Sequence, residues 1–335
     1  STAQATGGSG SDTLLSIENL IGSAYADRLT GNSGANSLSG AAGNDTLDGG
    51  TGIDTMAGGD GSDFYYVRDT GDVVSETNAI TSTGGNDTVY STLAAYTLTA
   101  NVENGRILAA GAANLTGNSG NNVLYADAGN NVLNGGTGTD TVSYAYAAAG
   151  VTFSLASSLA QNTGGSGVDT LLNIDNLAGS TFNDSLTGNS DANNLNAGAG
   201  NDLLSGGLGN DTLTGGLGND TLFVGLGSDI VRFDALLDAT TNRDTISDFN
   251  VTDDTIQLEN AVFTTLATLG TLAAGSFRAG AGFTSAADAN DYLIYNSSSG
   301  ALYYDADGNS AGAAAVQFAV LTGAPVLSNL DFVVT

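Results

Sequence analysis

From Gly179 to Arg232 the chain repeats every nine residues without a slip, and no other feature restricts its fold as much. Blocks open at 179, 188, 197, 206, 215 and 224, with glycines crowding their first positions. The two cleanest read Gly-Gly-Leu-Gly-Asn-Asp-Thr-Leu-Thr (206–214) and Gly-Gly-Leu-Gly-Asn-Asp-Thr-Leu-Phe (215–223). The sixth place holds Asp184, Asn193, Asp202, Asp211, Asp220 and Asp229; the eighth holds Leu186, Leu195, Leu204, Leu213, Leu222 and Val231. Burying one aliphatic side chain per block returns roughly 1.5–3 kcal/mol. Ordering its backbone costs about 1–2 kcal/mol for each residue. A block cannot stand alone, so blocks must stack, and the fold grows by adding turns instead of enlarging one core.

The same register occurs earlier. Residues 7–15 read Gly-Gly-Ser-Gly-Ser-Asp-Thr-Leu-Leu, with Asp12 in sixth place. Blocks opening at 22, 31, 40, 49 and 58 carry Asp27, Asn36, Asp45, Asp54 and Asp63 there. A weaker set opens at 117, 126 and 135 with Asn122, Asn131 and Asp140, and an isolated block at 164–172 carries Asp169. A larger duplication lays Gly7 over Gly164, Gly22 over Gly179, Gly31 over Gly188 and Gly49 over Gly206. The second copy has a strand-like lead-in, Val142-Ser-Tyr-Ala-Tyr and Val151-Thr-Phe-Ser-Leu. The first copy lacks it, so the chain is expected to start inside a module and to be the C-terminal piece of something longer. A natural start with a shortened first unit is the alternative.

Composition narrows the function classes. Asp and Glu total 35 against 6 basic residues, all arginine, for a net charge of −29. Nucleic acid and anionic membranes need clustered positive charge and are excluded as partners. Without Cys there are no disulfides, and without His there is neither the usual general base nor a zinc-hydrolase ligand set. No apolar run is long enough to span a membrane, and the N-terminal stretch shows no signal-peptide pattern. So acidic a chain could be disordered. Its 41% hydrophobic content and strict period argue for a fold, provided something neutralises the charge.

The block G-G-x-G-x-D-x-U-x resembles the calcium-binding nonapeptide of the RTX (repeats-in-toxin) family. The resemblance implies an all-β fold: a parallel β-roll, or β-solenoid, in which two blocks make one coil, closed by a C-terminal β cap. Blocks two apart then stack on one edge, with Asp45 between Asp27 and Asp63, Asp202 between Asp184 and Asp220, and Asp211 beside Asp229. Calcium takes several hard oxygen ligands in a tolerant geometry, and glycine turns can offer carbonyls beside the carboxylates. The candidate ligands are Asp12, Asp27, Asp45, Asp54, Asp63, Asp140, Asp169, Asp184, Asp202, Asp211, Asp220 and Asp229, with Asn36 and Asn193. The two asparagines, like Asn122 and Asn131, keep an oxygen and lose the charge, so sites there are expected to be weaker or empty. The residue two places after the acid shares its face and points inward. Asp-Gly turns in an ordinary sheet are the alternative reading.

These features divide the chain into a first repeat tract (1–66), a β spacer (67–116), a weak tract (117–143), a β lead-in (144–178), the main tract (179–232) and a C-terminal cap and secretion region (233–335). Asp244-Thr-Ile-Ser and Asp254-Thr-Ile-Gln-Leu look like closing strands. Asp291-Tyr-Leu-Ile-Tyr and Ala301-Leu-Tyr-Tyr-Asp read as an antiparallel hairpin. Asp305-Ala-Asp307-Gly-Asn309 is similar to the start of an EF-hand loop, but Ser310 and Val316 stand where Gly and Glu belong, which favours a plain turn. The tail from Val316 resembles the export region of type I secreted proteins. The resemblance implies a secreted, calcium-dependent protein that uses type I secretion machinery, and a structural protein of surface-layer, adhesin or matrix type, without catalysis, is expected; because a solenoid end exposes strand edge and apolar core, end-to-end self-association is expected too. The alternative is the non-catalytic secretion and folding module of a larger lipase, protease or toxin.

Overall fold

A computed structural model describes residues 4–5, 11–12, 17–78, 83–109, 111–310 and 312–335. The chain divides into two compact units: Ser1–Tyr146 with Leu159–Gln161 and Ser166–Ile174, and Ala147–Ser158 with Asn162–Gly165 and Asp175–Thr335. Among the described residues the regular structure is β, with two short 3-10 turns, and no helix is long and apolar enough to cross a membrane.

In the first unit, Arg28–Thr30, Thr46–Asp48, Phe64–Val67, Thr88–Ser91, Asn104–Ile107, Val123–Tyr125 and Thr141–Ser143 pair in parallel along one face. Asn19–Ile21, Ser37–Ala42, Thr55–Asp60 and Val73–Ser75 form a second parallel sheet. Ala95–Thr97, Asn114–Thr116, Val132–Asn134 and Val168–Leu172 form a third. Inside the first tract every partner lies two blocks on, as Thr46 does opposite Arg28. The spacer keeps the stack but varies the step, longer where Phe64 pairs with Thr88 and shorter where Thr88 pairs with Asn104. Leu47, Met56, Tyr65, Val89, Leu124 and Val142 are wholly buried, so the eighth-place residues and their spacer counterparts make one continuous core. On the outer face Tyr90 stacks on Phe64 and Tyr66, and Arg106 lies 3.4 Å over the Tyr146 ring.

The second unit shows the β-roll in its most regular form. Leu195, Leu213, Val231, Ile256 and Phe332 stand in one column of parallel strands. Leu186, Leu204, Leu222, Ile246 and Leu321 stand in the other. Asp244–Ser247 and Thr255–Leu258 thus continue the roll, and the strands Val316–Leu321 and Phe332–Val334 close its two faces. Leu293–Asn296 and Ala301–Tyr304 form the expected antiparallel hairpin, which pairs onward to Val316–Leu321. Under this cap, aromatic edges replace leucines: Phe318 meets Phe233 at 5.0 Å and Phe263 at 5.3 Å between ring centres. Residues 305–310 form a turn in which Asp307 accepts the Gly312 and Ala313 amides, both at 2.8 Å.

Candidate metal sites

Each block bends where its glycines lie, and the bend brings the sixth residue back over the first. At Gly215 a Cβ would collide with Asp220 Oδ2. Gly216 has φ 96°, a left-handed backbone that glycine alone adopts cheaply. The acid so placed then finds the neighbouring coil. Its Oδ1 accepts the amide of the sixth residue one coil earlier.

In the first unit the Asp27 amide donates to Asp45 (2.8 Å), Asn36 to Asp54 (2.8 Å) and Asp45 to Asp63 (2.7 Å). Further on, Asn122 donates to Asp140 and Asn131 to Asp169, both at 2.8 Å. In the second unit Asp184 donates to Asp202 (2.7 Å), Asn193 to Asp211, Asp202 to Asp220 and Asp211 to Asp229 (2.8 Å each). The spacing therefore brings these candidates into columns. Asp12 lies in a short strand, but its side chain falls outside the described residues.

The second carboxylate oxygen separates two kinds of turn, and the block's second residue decides which. Where that residue is Ser or Asn, its amide closes the turn: Ser23 to Asp27 Oδ2 (2.5 Å), Asn32 to Asn36 Oδ1 (2.7 Å), Ser180 to Asp184 Oδ2 (2.6 Å) and Asn189 to Asn193 Oδ1 (2.7 Å). Where it is Ala41, Gly50, Gly59, Gly198, Gly207, Gly216 or Gly225, the backbone is left-handed, with φ between 86° and 107°. In those turns Oδ2 of Asp45, Asp54, Asp63, Asp202, Asp211, Asp220 and Asp229 is buried without a hydrogen-bond partner.

Burial raises these carboxyls, against the lowering effect of the amide each accepts. Asp63 and Asp202 are pushed up to about 7, Asp211 and Asp220 to about 6, and Asp45, Asp54 and Asp229 are raised as well. Burial also lifts Asp169 to about 6, although the Asn131 amide and Tyr144 hydroxyl bond to it. An orphaned buried oxygen is costly. Oxygens of this kind, stacked coil upon coil, fit a hard divalent cation. The asparagines place a donor where the acid has an oxygen, although Asn131 Oδ1 is itself buried without a partner. Asn193 Nδ2 donates to the Asp175 carbonyl (2.7 Å), Asn122 Nδ2 to Val102 (3.0 Å) and Asn131 Nδ2 to Asp127 (3.0 Å).

The columns continue beyond the blocks, first through Asp72, which keeps the nine-residue period, and then through acids that the period misses. Asp54 donates to Asp72 (3.1 Å), Asp63 to Asp87 (2.7 Å) and Asp87 to Glu103 (2.8 Å). Likewise Asp220 donates to Asp244 (3.1 Å) and Asp229 to Asp254 (3.0 Å). A signal for four of them was present: Asp72-Val-Val, Asp87-Thr-Val, Asp244-Thr-Ile and Asp254-Thr-Ile all keep the step of an acid followed two places on by an aliphatic residue.

The RTX calcium-binding nonapeptide repeat model matches residues 17–47, 39–74, 109–142, 173–204 and 197–231. Among solved structures, the chain is similar to the AlgE6R3 subunit of the Azotobacter vinelandii mannuronan C5-epimerase, determined in solution. The two share 30% identity over 45% of this chain and 78% of that one, with a TM-score of 0.32. No curated protein matches the chain. With its nonapeptides matched in both units, the chain belongs to the RTX calcium-binding repeat proteins, and its repeats bind calcium ions.

Proposed function

We propose that the chain is a calcium-triggered structural module that works outside the cell. The orphaned Oδ2 atoms of the seven open turns carry this reading. A net charge of −29 and buried acid columns hold the ion-free chain open at neutral pH. Calcium supplies the missing positive charge, so binding and folding are one event. Asp45, Asp54, Asp63, Asp140, Asp169, Asp202, Asp211, Asp220 and Asp229 are the principal ligands. Asp27 and Asp184, already capped by serine, bind more weakly, and Asn36 and Asn193 hold no ion. Extracellular modules work at dissociation constants of about 10⁻⁴–10⁻³ M, which keeps the chain unfolded in a cytosol and suits export by type I machinery through its C-terminal region. No catalysis is assigned, since the chain lacks His and its buried acids stand mostly in ligand columns.

Self-association fits the first coil. Among the described residues Asn19–Ile21 pairs only with the strand of the next coil, and Ile21 and Tyr25 are 80% and 79% exposed. Exposed apolar side chains of this kind suit contact with another copy. Circular dichroism through a calcium titration, with light scattering on the same samples, tests both parts. The β spectrum should appear at submillimolar to millimolar calcium, vanish with chelator, and be accompanied by growth in mass. A β spectrum that survives exhaustive chelation at pH 7.5 would end the folding claim, and a strict monomer in calcium would end the assembly claim.

A further inference from the structure

Where the first tract meets its spacer, three carboxylates converge. Asp63, Glu76 and Asp87 each offer one oxygen, and these oxygens lie within 4.8 Å of one another. Their exposures are 0%, 7% and 1%. The arrangement is not another nonapeptide turn. Asp63 and Asp87 precede Phe64–Val67 and Thr88–Ser91, paired strands of one sheet, whereas Glu76 follows Val73–Ser75, a strand of a different sheet. Glu76 stands one residue beyond the Ala57–Ser75 pair, in the register of Gly58. A residue that elsewhere must be glycine to leave room for the acid is here itself an acid.

Glu76 is aimed. Tyr65 fills an eighth-place core position, wholly buried, and donates its hydroxyl to Glu76 Oε1. A buried tyrosine needs such a partner. The Asn101 side chain holds the Glu76 carbonyl at 3.1 Å. Two oxygens then remain without hydrogen-bond partners, Glu76 Oε2 and Asp63 Oδ2. Among the described residues no arginine pairs with the trio; Arg68 and Arg106, the nearest in sequence, pair with Asp48 and Asp127. Burial raises all three carboxyls, to about 7 for Asp63 and Glu76 and about 8 for Asp87, helped by repulsion from Asp45 at Asp63, from Asp63 at Glu76, and from Glu76 and Asp63 at Asp87.

We propose that Asp63, Glu76 and Asp87 together bind one divalent cation, of calcium type, that ties the two sheets of the first unit at the end of its repeat tract. Glu76 is a ligand and Tyr65 a positioning residue that leaves Oε2 free for the ion. The inference goes beyond the calcium-folding reading, because that reading needs only the sixth-place acids.

Native mass spectrometry of the full chain in millimolar calcium, with calcium isotherms, tests it. Glu76→Gln keeps the acceptor for Tyr65, and Asp87→Asn keeps the acceptor for the Asp63 amide. Each should lose one calcium from the wild-type count, and the double variant should also lose one, since the ion is shared. Tyr65→Phe should keep the count and weaken one site about tenfold, as removal of an outer-shell partner does. An unchanged count in both single variants, or a loss of two in the double variant, overturns the proposal, while calcium-dependent folding of the wild type would still stand. Should either carboxamide variant fail to fold in calcium, the Tyr65→Phe isotherm decides, and no weakening there overturns it.

Discussion

Acid should do for the chelated protein what calcium does at neutral pH. Burial raises Asp63, Glu76, Asp87 and Asp169 in the first unit to between about 6 and about 8. It does the same to Asp202, Asp211, Asp220 and Asp244 in the second. Unfolded carboxyls titrate near 4, so between about pH 4 and pH 8 the folded state binds more protons than the unfolded one. Stability is therefore whole below pH 4 and is lost as pH rises through 6 to 8. For Asp202, moved from 3.8 to about 7, the full cost at pH 8 is roughly 4 kcal/mol at 1.36 kcal/mol per tenfold change. Asn201 and Leu203 beside it are exposed, and solvent screening reduces the cost to about 1–2 kcal/mol. Four such groups in each unit bring about 4–8 kcal/mol, on the scale of the whole stability of a domain at about 5–15 kcal/mol. In chelator, far-ultraviolet circular dichroism and small-angle scattering should show a compact β protein at pH 5 and an expanded chain at pH 8. Asp202→Asn keeps the acceptor for the Asp184 amide and removes the charge, so it should move the loss to higher pH. Asp202→Ala strands that amide and should move the loss to lower pH. A β signal that is flat from pH 5 to 8, or that grows with pH, would refute the reasoning.

Two smaller perturbations probe the turn. Ser180 caps Asp184 through its amide at 2.6 Å and its hydroxyl at 2.8 Å. Ser180→Gly should open that turn, tighten one weak calcium site per chain in equilibrium dialysis, and cost about 1–2 kcal/mol in chelator at pH 5; an unchanged isotherm would show that the second residue does not select the turn type. Ala41 holds φ 86° where its counterparts are mostly glycine. Relief of left-handed strain, about 1–2 kcal/mol, outweighs the entropy glycine loses, about 0.5–1 kcal/mol, so Ala41→Gly should raise the melting temperature in saturating calcium, and a lower one would count against the assignment of strain.

The roll was legible because its two periods coincide: nine residues carry both the glycine bend and the inward aliphatic. That coincidence puts Leu213 between Leu195 and Val231 and sets Asp202 between Asp184 and Asp220. Asp72 keeps the count, 18 residues after Asp54, whereas the acids at Asp87, Glu103, Asp244 and Asp254 fall outside it. Loops between blocks lengthen or shorten the step, to 24, 16 and 25 residues at the Asp63–Asp87, Asp87–Glu103 and Asp229–Asp254 bonds, so a fixed count walks past them. Glu76 could not be found from spacing at all. Its approach to Asp63 depends on sheet pairing that exists only after the coils close.

The second residue of each block grades the chain's demand for ions. In both long tracts the run of contiguous blocks begins with a Ser turn followed by an Asn turn, at Ser23 and Asn32 and again at Ser180 and Asn189. Two blocks make one coil, so the opening coil of each tract satisfies its own sixth-place oxygens. The orphaned oxygens begin with the next coil, at Asp45 and at Asp202. A coil that needs no ion offers its amides, Asp27 and Asn36 in one tract and Asp184 and Asn193 in the other, to the acids that do. Each open turn therefore meets one carboxylate oxygen already held at hydrogen-bond distance and one still facing no donor, which is the half-built state that a cation completes.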